Sequence, residues 1–97
     1  MWVLSKPILK KCWEQHPEVK GQLEAWYDHV KHVDWHTPAD VQKDYGQDVI
    51  LPDNRAVFNI KDNKYRIVVR FNYPSQRVFI RFVGTHDEYN NIDATTI

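Results

Sequence analysis

A single cysteine, Cys12, stands in a chain of 97 residues, so no disulfide can close within it. Only three glycines are present, Gly21, Gly46 and Gly84, and they lie far apart. A glycine-rich loop that cradles phosphate needs several close together, so an enzyme with a closed pocket for a small phosphorylated substrate has no sequence basis here. No apolar run approaches the roughly 20 residues of a membrane span. The opening MWVLSKPILKK holds no apolar stretch long enough for a secretory leader. These absences make the cytoplasm the expected compartment. With 42% hydrophobic and 27% charged residues, positions 1–97 are expected to form one domain with one real core.

The most informative absence is acidic. Residues 55–81 contain seven Lys/Arg and one acid, Asp62, a local charge of +6. Residues 1–54 carry six Lys/Arg against nine Asp/Glu, and residues 82–97 carry three acids and no Lys/Arg, so the whole chain balances to zero. Segregated charge of this kind points to a local site for an anion. The plain alternative is a solvated basic surface that serves solubility.

What fills that stretch is alternation. Ala56, Phe58, Ile60, Tyr65, Ile67, Val69, Phe71, Val78, Ile80 and Phe82 fall on one parity. Arg55, Asn59, Lys61, Lys64, Arg66, Arg70, Arg77 and Arg81 fall on the other. Strand side chains alternate with period two, so three consecutive strands with one apolar and one cationic face are predicted. Asp62-Asn63 suits a two-residue hairpin turn. That turn sets Phe58 opposite Ile67 and Asn59 opposite Arg66. Keeping the next strand in phase sets Val69 opposite Ile80 and Val68 opposite Arg81, which gathers Arg66, Arg70 and Arg81 at the sheet centre.

Ahead of the basic stretch the period is helical. Trp2–Leu4 reads as a short edge strand, and Ser5 as a cap with Pro7 in the first turn. Ile8, Leu9, Cys12 and Trp13 mark the buried stripe of a helix ending near Gln15, with Cys12 an inert thiol on that stripe. His16-Pro17 breaks it. Val19, Leu23, Trp26, Val30 and Val33 mark a second helix, and so tight a junction predicts an antiparallel hairpin packed on the apolar face of the sheet. Thr37-Pro38 starts a short third helix ending near Tyr45-Gly46. Asp48–Leu51 can add an extended segment before the Pro52-Asp53-Asn54 turn. Thr85 and Glu88 form a capping box, which sets His86 and Tyr89 on one side of a short helix directly after the last strand. The polar residues after Ile92 are expected to fray. His29, His32 and His36 are spaced at three and four, but no carboxylate or cysteine completes a ligand set, so no metal site is assigned.

The ordered combination, namely a short strand, two helices, then VFNIKDNKYRIVVRF and RVFIRFVGTHDEYNNID, resembles the HigB toxin family of RelE-like bacterial toxins. The resemblance covers nearly the whole chain and is most specific in Phe58-Asn59, Lys64-Tyr65-Arg66, Ile80-Arg81 and the Thr85–Tyr89 run. It implies an α+β fold with a helical hairpin on one face of a small, mainly antiparallel sheet. It also implies a metal-independent endoribonuclease without cofactor, cutting mRNA in the ribosomal A site to stop translation. A HigA-type helix-turn-helix antitoxin would be its partner. The neutral overall charge departs from the strongly basic character of many such toxins.

Metal-free RNA cleavage proceeds by attack of a ribose 2′-hydroxyl on the adjacent phosphate. It needs a base, an acid, and cations around the crowded phosphorane. His86 suits proton transfer because imidazole titrates near neutrality. Arg66 and Arg81 can fork onto phosphate oxygens. Tyr89 can donate a hydroxyl or stack on a base. Asn59, Lys61, Lys64 and Arg70 are the candidates for holding RNA. A non-catalytic RNA- or protein-binding module of the same fold uses the same basic face and needs no His86.

Overall fold

In a computed structural model, which describes residues 1–46 and 49–97, five strands form one mixed sheet in the order β1-β5-β4-β3-β2. The strands are β1 (Trp2–Leu4), β2 (Ile50–Leu51), β3 (Arg55–Ile60), β4 (Tyr65–Asn72) and β5 (Arg77–Thr85). The helices are α1 (Lys6–Gln15), α2 (Lys20–His32), α3 (Pro38–Tyr45) and α4 (His86–Tyr89). The architecture is α+β, as the alternation and the resemblance imply. Of the expected Asp48–Leu51 segment, Asp48 lies outside the described residues and Ile50–Leu51 pair antiparallel with β3.

The apolar parity packs against the helices. Phe58, Ile67, Val69, Val78 and Ile80 join Leu9, Cys12, Leu23, Trp26 and Val30 in one core. An aromatic cluster fills the side under α3. Phe58 stacks on Trp35 and receives the ring edges of Trp26 and Tyr45 at 5.4 and 4.8 Å. Lys6, at the start of α1, sits over the ring of Tyr27 near the end of α2, so the two helices run back on each other. A 3-10 turn, Pro17–Val19, joins them. Burial pushes the Cys12 thiol pKa up, which keeps it protonated and unreactive.

Two helix starts differ in kind. Thr37 caps α3 through a full capping box with Asp40. Ser5 was the expected cap of α1, but it lies in the left-handed region at φ 72 and its side chain caps nothing. A capping residue needs an extended backbone to aim its oxygen at the helix amides, and Ser5 does not have one.

The strand registers hold from β3 to β4 and then change. Phe58 faces Ile67 and Asn59 faces Arg66, as expected. Val69 faces Ile80, but Val68 faces Phe82, not Arg81. A β-bulge lies here, with Arg81 as the extra residue of β5. The bulge resets the parity. Phe82, expected in the core, moves to the opposite face, 6.3 Å from the ring of Tyr89. Val83 takes its place against the core.

The hairpin turn at Asp62-Asn63 forms, with both residues at positive φ and Lys64 N–H donating to the Lys61 carbonyl at 3.1 Å. The residues after Ile92, expected to fray, make defined contacts. Thr95 binds Asp93, and the Ile97 carbonyl accepts from Arg55 Nε at 2.9 Å, which leaves Ala94 and Arg55 buried. No helix among the described residues is long and apolar enough to cross a membrane.

Candidate functional site

The face of the sheet turned away from the helices carries the arginines. Among the described residues, Arg66, Arg70, Arg77 and Arg81 have no carboxylate within ion-pair distance; the only arginine so paired is Arg55, 3.9 Å from Asp53. Arg55 is also spent on the Ile97 carbonyl and is 7% exposed, so it is removed from the wet surface. Four guanidinium groups left unpaired on one face concentrate a positive field there.

That field has two ends. At the α4 end, Arg66 stands between Asn59 on β3 and Gly84 on β5. Its guanidinium lies over the Tyr89 ring at 4.5 Å. Its Nε is shielded from water and has no hydrogen-bond partner among the described residues. A planar cation held against a ring keeps its fork fixed, with donors left over for an acceptor from outside.

The position of α4 is tightly determined. Thr85 accepts from the Glu88 N–H, and Glu88 accepts from the Thr85 N–H at 2.9 Å, closing the expected capping box. The Thr85 N–H bond holds the Glu88 carboxyl below its ordinary pKa. The His86 N–H donates to the Lys64 carbonyl at 2.9 Å, which ties the helix start to the hairpin. Gly84 is needed here for space: a Cβ would sit 2.9 Å from both the Phe82 ring and Glu88 Oε1. The Asn90 side-chain amide lies 3.3 Å from His86 Nδ1, within hydrogen-bond distance. Tyr89 follows His86 by one helical turn.

At the other end, Arg70 and Arg81 line an open groove of about 520 Å³ together with Phe79, Asn54, Asn72 and Tyr73. Arg66 takes no part in its walls. The expected three-arginine cluster is therefore divided, because the bulge moves Arg81 out of the pairing position beside Val68. Val68 and Phe82 separate the two ends. Both are apolar, and Val68 is completely buried although it is not part of the helix-side core.

Of the predicted RNA-binding residues, Asn59, Lys64 and Arg70 keep to the basic side or its rim. Lys61 does not. Its backbone is left-handed at φ 52, and its ammonium reaches the Glu18 carbonyl on the helical side at 3.2 Å. The three spaced histidines are dispersed. His29 packs edge-on against Trp35 and Tyr45, His32 bonds the Asp28 carbonyl, and His36 lies beside Gln76. Two participants escaped sequence reasoning. Asn90 contacts the His86 ring, and its spacing of four was the available signal. Phe79 is an aromatic on the polar parity between Arg77 and Arg81, visible in the sequence as an exception to the alternation.

Comparison with known proteins bears on the family of the chain. The family model HigB_toxin, described as the RelE-like toxic component of a toxin-antitoxin system, matches residues 8–92. The mRNA interferase toxin HigB of Escherichia coli K12 is 27% identical over 92 residues, covering 93% of this chain and 88% of that protein. The mRNA interferase HigB of Shigella flexneri matches to the same extent.

Proposed function

The chain belongs to the HigB toxin family, the toxic components of toxin–antitoxin systems, and we propose that it is an endoribonuclease that cuts mRNA in the ribosomal A site, in the cytoplasm. An antitoxin partner comes with the family; we propose a HigA-type helix-turn-helix protein for it. The whole of residues 1–97 acts as one toxin domain in this reading.

One observation carries the proposal: Arg66 lies over the ring of Tyr89, the last residue of the short helix that begins with His86, and its Nε has no acceptor among the described residues. In this reading Arg66 forks onto the scissile phosphate and stabilises the charge that builds on its oxygens. His86 moves a proton, to the leaving 5′-oxygen or from the 2′-hydroxyl. Tyr89 holds the guanidinium and offers its hydroxyl. Asn59, directly across from Arg66, and Lys64 position the RNA. Arg70 and Arg81 grip phosphates further along the strand. Proton transfer and preorganised cations supply the chemistry without a metal.

Single-turnover cleavage on programmed ribosomes across pH, beside equilibrium binding at several salt concentrations, tests it. Arg66→Ala should weaken binding and flatten its salt dependence, because fewer counterions are released. His86→Ala should retain binding, lose cleavage, and lose an ionisation present in the wild-type rate profile. Wild-type protein that binds but neither cuts mRNA nor slows growth would leave a non-catalytic binding module of the same fold.

A further inference from the structure

Beyond the α4 end, the same face carries a row of aromatic and cationic side chains of which the cleavage reading uses only Arg70 and Arg81. The parallel register of β1 with β5 sets Trp2 beside Arg77 and Leu4 beside Phe79. Trp2 is 61% exposed, the most open large apolar residue among those described, and the Arg77 guanidinium lies 5.1 Å from its ring. Across β5, Phe79 faces Arg70 on β4. Phe79, Arg70 and Arg81 then line the groove of about 520 Å³, whose walls contain no acidic residue among the described residues.

We propose that Trp2, Arg77, Phe79, Arg70 and Arg81 form a second RNA subsite, which holds unpaired nucleotides flanking the cleaved bond. This rests on the mRNA-cleavage reading for its substrate but not for its chemistry. A single strand presents alternating charged phosphates and flat bases. The row presents alternating cations and flat rings, with a cation and the next ring on β5 about 6.6 Å apart along the strand. Bases stack on aromatic side chains with little regard to sequence, and arginines follow the backbone between them. The bulge contributes directly, because it brings Arg81 to the groove. The subsite accordingly sets how long an RNA is held and leaves the choice of bond to the α4 end.

The probe is 2′-O-methyl RNA, which lacks the attacking hydroxyl and stays intact. Fluorescence anisotropy compares a mixed-sequence oligomer of roughly eight nucleotides with one of roughly three. The wild type should bind the longer oligomer more tightly, and Trp2→Ala and Arg77→Ala should each weaken it about tenfold. The same substitutions should largely erase the advantage of length. Both positions are on the surface, so folding is not at risk; Phe79→Leu tests the groove while keeping an apolar side chain. Unchanged affinity of the longer oligomer in Trp2→Ala and Arg77→Ala overturns the proposal. So does a loss confined to antitoxin binding, which would make this surface an antitoxin dock. Length-dependent binding that needs Trp2, in a protein that never cuts mRNA, upholds the subsite while removing the cleavage reading.

Discussion

On the helix side of the sheet, Phe58, Ile67, Val69 and Ile80 are closed off from water, each against other apolar side chains. One residue away along the same strands, Arg66, Arg70 and Arg81 carry charge with no acidic neighbour among the described residues. The backbone is common to both sets; what differs is whether the folded chain supplies the partner. The inner face is complete within the molecule. The outer face leaves its donors for something else, and an unpaired charge held in place is the usual mark of a binding surface rather than of a stabilising one. Substitutions should therefore separate cleanly, with inner changes lowering stability and outer changes lowering activity.

The largest effect should come from the outer face. His86→Ala should slow single-turnover mRNA cleavage by about 10²–10⁴, the usual cost of losing a proton-transfer group, while thermal unfolding stays near wild type. Cleavage at the wild-type rate with the same pH profile would remove His86 from the chemistry. Phe58→Ala should do the converse. Its ring meets Trp26, Trp35 and Tyr45, so its loss should cost about 3–5 kcal/mol in denaturant unfolding through lost burial and the cavity left behind. A Phe58→Ala protein of normal stability would break the comparison at its root. Arg66→Ala should lower the cleavage rate by about 10²–10³ and also weaken binding, with little change in unfolding.

A smaller effect crosses between the layers. On the inner side, the Tyr65 hydroxyl donates to the Glu18 carboxylate. That bond, with burial second, raises Tyr65 to about 12, and the same bond, against the effect of burial, lowers Glu18 below its ordinary value. The neutral tyrosine is favoured in the folded state, so its contribution is present below pH 10, its ordinary value, and is lost as pH rises from there towards about 12. The Glu18 contribution has the opposite sense: present above its ordinary range and lost as pH falls through its lowered value. Tyr65→Phe should flatten the stability profile at both extremes and leave the middle little changed. Thermal melts from acid to strongly alkaline pH will show whether it does.

The inner face was readable because burial repeats with the strand period, and the β3–β4 register followed from the two-residue turn between Ile60 and Tyr65. The capping box at Thr85 and Glu88 was readable because it is local chemistry. The bulge was hidden. Phe82 is apolar on the parity where an unbroken strand puts its core residues, and only the doubled Phe82-Val83 before Gly84 betrays a change of phase. Lys61 was hidden for a related reason, since a left-handed residue at a strand end turns its side chain out of the alternation. The fastening of Arg55 by Ile97 depends on a return of the chain over 42 positions, which no local pattern records. Of the candidate site, the pairing of Arg66 with Asn59 followed from register. The division of Arg66 from Arg81 did not, because one unpaired residue decides it.

That unpaired residue also bears on how the gene can change. Loss of a codon within a strand ordinarily throws every later side chain to the opposite face. β5 contains one position where it would not. Without Arg81, Ile80 still meets Val69 and the next residue, Phe82, still meets Val68, each on its present side. The same loss before Ile80 would drag buried residues out of the core, and a loss after Phe82 would displace Thr85 and the helix it caps. The strand therefore has one codon that an in-frame deletion should remove with the fold kept, and the amino acid lost with it is a cation of the open groove.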